Sequence, residues 1–216
     1  MPIASLSRHA PGLFTPALEL YHLLPLHMPL TLFLLDAPFG RFAPKGKKWV
    51  VNGNISWFCM EIVAPSVLLW TLGSIPVQLS TNSAVLAGVY ITHYFHRAIM
   101  SPLVLSPKRS DVHIIVPIVA AVYNVLNAYC LAVGLAFYPA PQSSRTLWCL
   151  AGWAVGFLGN VYHDEILNDL RRPDAQKLVT SPSKEHEKDK KAGNGRYAIP
   201  RGGLFDVVSF PNYLCE

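Results

Sequence analysis

The segment Ile62–His96, which reads IVAPSVLLWTLGSIPVQLSTNSAVLAGVYITHYFH, is the most informative part of the chain, because its 35 residues contain no Asp, Glu, Lys or Arg. A helix that crosses a bilayer needs about 20 consecutive, mostly apolar residues. This segment is long enough for the second half of one such helix, a short turn around 78–83 and another helix. It therefore predicts two neighbouring membrane spans joined by an uncharged turn.

Further segments without formal charge follow. Residues 112–144 supply 33 more, and residues 146–163 supply 18 that are rich in Leu, Trp, Ala and Gly. Residues 17–35 form a weaker candidate, because they include Glu, His and Pro, and such a helix can span a membrane only if its polar groups face other helices or water. We predict an all-α, polytopic transmembrane helix bundle with about five spans.

The charge distribution supports a membrane protein. Charged residues make up 14% of the chain, against about a quarter in an ordinary soluble domain. The net charge of +5 arises in Arg171–Arg201, which holds nine basic and four acidic residues, whereas the rest of the chain sums to zero. One local basic segment argues against a nucleic-acid-binding face. The four cysteines lie far apart without metal-ligand spacing, so we expect no metal site and no disulfide framework.

The connections between successive predicted spans are alternately rich and poor in Lys and Arg. Because cytosolic loops carry the excess of Lys and Arg, the N-terminus is predicted on the lumenal side and the basic segment in the cytosol. Within that segment, 176–195 has low hydrophobicity and mixed charge, and we predict a flexible cytosolic loop. We treat 1–216 as one membrane-embedded domain.

Glu61 stands alone among apolar residues. A carboxylate in such a position is costly, so it is expected to be protonated, paired or turned towards a cavity. A protonated carboxyl group donates a hydrogen bond and could polarise an electrophile. The alternative is a glutamate at a helix end that reaches the membrane interface.

A second polar cluster, Thr92–Arg97, ends the charge-free segment. On a helix, His93 and Tyr94 each share a face with Arg97. These residues could form a site, or they could be an aromatic belt at the membrane interface with an arginine that extends to water.

A third group, Asn160, Asp164, Asn168 and Arg171, recurs at helical spacing and predicts one polar stripe. Amides and carboxylates suit ribose hydroxyls and Arg suits phosphate, but a solvated helix end with Asp–Arg pairing would have the same spacing. Gly152, Gly156 and Gly159 favour close helix packing. Neither a Rossmann fingerprint nor a P-loop is present, so a nucleotide would bind among helices and loops.

These groups together resemble the steroid 5α-reductase family, the NADPH-dependent 3-oxo-5α-steroid 4-dehydrogenases. The strings that carry the resemblance are, in chain order, Ala37–Phe42, Trp57 with Glu61 and Pro65, His93–Arg97, Gly159–Asp164, Leu170–Pro173, and Ile199–Phe205 followed by Asn212 and Glu216. The resemblance implies that Glu61 and Tyr94 bind the 3-keto oxygen of a steroid. It implies that NADPH is held by Trp57, Arg97, Asn160, Asp164, Arg171, Asn212 and Glu216.

The activity implied is reduction of the C4–C5 double bond of a 3-oxo-Δ4-steroid or sterol-like enone in the endoplasmic reticulum membrane. The alternatives are a trans-2-enoyl-CoA reductase of fatty-acid elongation and a non-catalytic, truncated membrane remnant. The family has seven spans and continues beyond the motif Glu, so we expect the chain to be C-terminally incomplete. Met60 and Ala198 stand where the family usually has Gln and a basic residue.

Overall fold

The computed structural model describes residues 10–34, 48–138, 140–141, 143–180 and 199–216, and these are mostly helical. The elements are α1 (Phe14–Leu34), β1 (Val50–Val51), α2 (Gly53–Glu61), α3 (Val63–Ser74), α4 (Thr81–Tyr94), a π-helix (Phe95–Leu105), β2 (Val112–His113), α5 (Ile115–Phe137), α6 (Ser144–Asp169) and α7 (Pro211–Leu214). Short 3₁₀ turns occupy Asp174–Gln176 and Gly203–Asp206. The motif Ala37–Phe42, Ala198 and most of the predicted loop 176–195 lie outside the described residues.

Each of the five stretches predicted to span the membrane contains a helix. Among the described residues, two helices, Gly53–Ser74 and Ile115–Phe137, are long and apolar enough to cross a membrane. The first combines α2 and α3, since the intervening Ile62 keeps a helical backbone and its N–H donates to the Phe58 carbonyl. A mostly helical protein with membrane-like helices is therefore confirmed, and the count of five spans stays a prediction.

Local sequence explains where the helices begin. The Asn52 side chain accepts hydrogen bonds from the N–H groups of Asn54 and Ile55 and so caps the start of α2. Ser80 caps α4 in the same way through the N–H of Ser83. Just before α2, β1 pairs in antiparallel fashion with β2, and Val50 lies opposite His113. The pairing ties the start of α2 to the start of α5.

The described chain divides into two compact units, one built from residues up to 104 and 109–142, the other from 105–108 and 143–216. In the first unit, α5 packs against α1, α2, α3 and α4. Its core joins α3, α4 and α5 through mostly small side chains, which let helices approach closely. The buried members are Ala64, Leu68, Ala87, Tyr94, Ala128, Ala132 and Leu135. The prediction of one domain over 1–216 stays a prediction.

The π-helix directly follows Tyr94. The sequence analysis assumed an ordinary α-helix here, and this assumption is wrong, because the backbone changes to wider π turns from Phe95 to Leu105. Pro102, inside this segment, has no N–H to donate, and its carbonyl accepts a hydrogen bond from the Asn54 side chain at 2.7 Å. π-helical insertions frequently occur at functional sites, and this one contains Arg97.

In the second unit, α6 packs against α7 and against the turn Gly203–Asp206. The glycine pattern of α6 serves this packing in part. A Cβ added to Gly156 would lie 2.6 Å from the Cys215 carbonyl oxygen, and one added to Gly159 would lie 2.8 Å from the Cys215 sulfur. At Gly152 a Cβ would meet nothing within 4 Å. Because Gly156 and Gly159 have no side chain, the segment at Cys215 can pack directly against the surface of α6.

Candidate active site

Glu61 lies at the end of α2 and is 6% exposed, so it is not a side chain that reaches out to water. The Arg97 Nε atom donates to its Oε1 oxygen at 2.9 Å. Of the three states expected from the sequence, the structure therefore shows the paired one. An ion-paired carboxylate accepts hydrogen bonds, and this corrects the view of Glu61 as a neutral donor.

Tyr94 ends α4 and is 8% exposed. Its hydroxyl donates to the Oδ1 atom of Asn124 across 3.5 Å, and its ring lies 4.6 Å from the Tyr90 ring. The same Asn124 donates to a Glu61 oxygen at 3.4 Å. The structure thus brings together both predicted catalytic residues through a side chain that the sequence analysis did not select.

Trp57 lies beside two guanidinium groups. The Arg97 carbon Cζ is 5.4 Å and the Arg109 Cζ is 4.5 Å from the centre of the indole ring, within the range of cation–π attraction. Arg109 also donates to the Ser101 hydroxyl at 2.8 Å. The predicted cofactor residues Trp57 and Arg97 are therefore neighbours, and Arg109 joins them.

In the second unit, Asn160, Asp164 and Asn212 form a connected polar group. Asn160 donates to the Asn212 backbone carbonyl at 2.9 Å, and the Asn212 side-chain amide donates to Asp164 at 3.1 Å. Asn160 and Asn212 are 7% and 9% exposed. The Asn212 Oδ1 atom is buried and has no hydrogen-bond partner among the described residues. This buried acceptor fits a cofactor that carries hydroxyl or carboxamide donors.

The remaining part of the predicted stripe belongs to a different group. Asn168 donates to Glu165 at 2.8 Å and accepts from the Ser106 hydroxyl at 3.2 Å. Arg171 is exposed, as is the terminal Glu216. Asn160, Asp164 and Asn168 lie four residues apart on α6. Asn160 and Asp164 contact Asn212, whereas Asn168 contacts Glu165 and Ser106.

Arg172, next to the predicted Arg171, is the arginine that pairs here. It donates to Glu165 at 2.7 Å and to Asp169 at 2.8 Å, and also to the Leu105 carbonyl. Asp169 is fully buried, and it accepts the backbone N–H groups of 178–180 at 2.8–3.2 Å. Burial by itself would raise the pKa of Asp169. Those N–H groups and the guanidinium outweigh burial and hold the pKa well below its usual range.

His163 attaches the glycine turn to α6. Its Nδ1 lies 2.6 Å from the Gly159 carbonyl, so Nδ1 donates, and Nε2 accepts the Leu204 N–H at 3.0 Å. Gly203 has a φ of +56°, and a Cβ there would lie 2.8 Å from the His163 Nε2 atom. Gly203 is thus required both by the backbone conformation and by the closeness of the histidine ring.

Comparison with known proteins identifies the family. A model for 3-oxo-5-alpha-steroid 4-dehydrogenases matches residues 110–216. A steroid 5-alpha-reductase of Arabidopsis thaliana is 32% identical over 200 residues, which are 86% of this chain and 68% of the relative. The chain belongs to the steroid 5-alpha-reductase family. Family membership places it among oxidoreductases that act on CH–CH groups, so the predicted family and enzyme class are confirmed.

Other relatives support the same assignment to the steroid 5-alpha-reductase family. An uncharacterized protein of Schizosaccharomyces pombe is 35% identical over 215 residues, 87% of this chain and 73% of the relative. The 3-oxo-5-alpha-steroid 4-dehydrogenase 1 of Bos taurus is 25% identical over 196 residues, with coverage of 86% and 68%. The stretch matched by the family model, 110–216, contains α5, α6 and α7. Asn124, Asn160 and Asn212 therefore lie inside the match, whereas Glu61 and Tyr94 precede it.

In this member of the steroid 5-alpha-reductase family, the sequence analysis missed Asn124, Arg109 and Arg172. A signal for Asn124 was present, because an amide inside an otherwise apolar span marks a functional position. Arg109 was counted as a loop charge, and only the tertiary structure places it on the Trp57 ring. Arg172 is adjacent to Arg171, which the spacing selected as a cofactor residue, and only the structure shows that Arg172 contacts Asp169 and Glu165.

Proposed function

We propose that this chain reduces the C4–C5 double bond of a 3-oxo-Δ4-steroid or sterol-like enone, with NADPH as reductant, in the endoplasmic reticulum membrane. The observation that carries the proposal is the connected group Glu61, Tyr94, Arg97 and Asn124, in which all but Arg97 are buried. Polar side chains in an apolar helix bundle are energetically costly, so those that occur there usually serve a function. Relatives named as steroid 5-alpha-reductases support the substrate class.

Conjugate reduction adds hydride to the β-carbon of the enone, and negative charge then builds on the carbonyl oxygen. We assign the direct hydrogen-bond donor to the Tyr94 phenol, which is buried beside the Glu61–Arg97 pair. Glu61 holds the Arg97 guanidinium in place, and this positive charge stabilises the developing enolate. Preorganised donors of this kind contribute about 3–4 kcal/mol each. A proton taken up from water and added to the α-carbon completes the saturated ketone.

We propose that NADPH is the cofactor and that Asn160, Asp164 and Asn212 hold part of it. Reduced nicotinamide supplies the hydride when the cofactor is bound. The unpartnered Asn212 Oδ1 can accept a hydrogen bond from a hydroxyl or carboxamide group. Exposed Arg171 can meet a phosphate through its planar fork. Trp57, Arg97 and Glu216 complete the proposed set of cofactor residues.

The test measures steroid-dependent NADPH oxidation by the purified protein in detergent, with the reduced steroid identified by mass spectrometry. Tyr94→Phe and Glu61→Gln should each lower kcat by roughly 100-fold or more, because each removes part of the charge stabilisation. The matched controls are Tyr129→Phe on α5 and Glu19→Gln, which is exposed on α1. Both controls should remain within about twofold of the wild type.

The outcomes separate the alternatives. Turnover of a trans-2-enoyl-CoA without turnover of an enone steroid would assign the chain to fatty-acid elongation. Absence of both NADPH binding and turnover in the folded protein would indicate a non-catalytic membrane protein. Equal activity of the Tyr94→Phe variant and the wild type would exclude the proposed donor.

A further inference from the structure

Asn124 lies on α5 and connects two other helices. It is 5% exposed, and its amide nitrogen donates to the Met60 carbonyl at 2.7 Å and to the Glu61 Oε2 oxygen at 3.4 Å. Its carbonyl oxygen accepts from the Tyr94 hydroxyl at 3.5 Å. One side chain therefore reaches the end of α2 and the end of α4 at once.

The chemistry of this position requires an amide. Met60 and Glu61 present acceptors, whereas Tyr94 presents a donor, and among side chains of this length only Asn carries two donors and an acceptor on one plane. An Asp at 124 would place a second carboxylate against Glu61 and would lose the donor to Met60. An apolar residue would leave buried polar groups without partners, which costs about 1–3 kcal/mol for each group.

The contacts also divide the Glu61 carboxylate between two partners. Arg97 donates to Oε1 and Asn124 donates to Oε2, so both oxygens are held and the carboxylate plane is fixed. The Tyr94 hydroxyl lies 3.5 Å from the Asn124 carbonyl oxygen, a long contact that keeps the phenol beside Glu61 and is given up when the single hydroxyl proton turns to the steroid oxygen on binding. Fixed donors stabilise developing charge without reorganisation at the moment of reaction.

We propose that Asn124 is a positioning residue for the reduction, which sets the relative placement of Glu61 and Tyr94 without contacting the steroid. This inference rests on the proposed function and extends it to a residue outside the strings that carry the family resemblance. Loss of Asn124 lowers kcat far more than it changes NADPH affinity, because its own hydrogen bonds go to Met60, Glu61 and Tyr94.

The experiment is a double-mutant cycle on steroid reduction, with Asn124→Ala, Tyr94→Phe and the double variant. The matched control is Asn82→Ala, since Asn82 lies at the opposite end of α4 from Tyr94 and its amide donates to the Pro141 carbonyl at 2.8 Å. Asn124→Ala should lower kcat by about tenfold or more, with NADPH affinity within about twofold. In the Tyr94→Phe background the same change should have little further effect, whereas Asn82→Ala should leave kcat within about twofold in both backgrounds.

Three results decide the inference. A kcat for Asn124→Ala within twofold of the wild type, or full additivity with Tyr94→Phe, would overturn it while the proposed function stands. An inactive wild type that is folded would overturn both. If the alanine variant does not fold, Asn124→Leu replaces it in the same cycle, because Leu keeps a similar volume and removes both the donors and the acceptor for Tyr94 without adding a charge.

Discussion

At Gly203, backbone conformation and side-chain packing both restrict substitution. Its φ is +56°, and an added Cβ would lie 2.8 Å from atoms of His163 and Tyr162. We expect Gly203→Ala to lower the free energy of unfolding by about 1–3 kcal/mol. Gly152→Ala is the matched control in the same unit, because a Cβ there meets nothing within 4 Å and alanine favours a helix by about 1 kcal/mol. Thermal unfolding in detergent measures both, and equal midpoints for the two variants would contradict the expectation.

Asn212 offers a second test at the level of one side chain. Its buried Oδ1 has no partner among the described residues, and we assign this acceptor to NADPH. Asn212→Ala should raise the KM for NADPH about tenfold, because one lost hydrogen bond of about 1.4 kcal/mol corresponds to that factor. Asn82→Ala removes an amide that donates to the Pro141 carbonyl and serves as the control. Steady-state kinetics at varied NADPH concentration measures this KM. An unchanged KM in Asn212→Ala would remove Asn212 from the cofactor site.

Among the structural elements, the C-terminal end of α6 holds the following segment through Asp169. The carboxylate accepts the backbone N–H groups of 178–180 and pairs with Arg172. We expect Asp169→Asn to lower the free energy of unfolding by about 3 kcal/mol or more, since it leaves a buried guanidinium without its full charge partner. Hydrogen exchange at 178–180 should accelerate. Asp174→Asn, whose carboxylate is 59% exposed and pairs with Lys177, should change little.

The same contact predicts a pH dependence. The folded pKa of Asp169 is lowered, so its contribution to stability is complete above the unfolded pKa of about 4 and is lost as the pH falls through the folded value. Protection of 178–180 from exchange should therefore be constant from neutral pH to about pH 5 and decline only in stronger acid. Loss of protection near neutral pH would contradict this assignment.

The secondary-structure elements show most clearly what the sequence can and cannot predict. Charge-free segments predicted where the long helices lie, because apolar length is a property of the sequence alone. The π-helix after Tyr94 was not predicted, since the tertiary contacts around it, such as the bond from Asn54 to the Pro102 carbonyl, are not visible in the sequence. For the same reason the sequence placed Glu61 and Tyr94 in a site but did not reveal Asn124 between them.

For the whole molecule, the remaining prediction is orientation in the membrane. Basic residues alternate along the chain, and the positive-inside rule then places the N-terminus in the lumen and the basic segment after α6 in the cytosol. Trypsin added to sealed microsomes should cut within 184–191, which lie outside the described residues, because this stretch is rich in Lys. A tag at the N-terminus should be protected until detergent opens the vesicles, and a resident lumenal protein reports that the vesicles are intact. Cleavage of the tag with protection of 184–191 would show the opposite orientation. The end of α6, which carries residues proposed to hold the cofactor, would then face the lumen, and NADPH would have to reach it from that side.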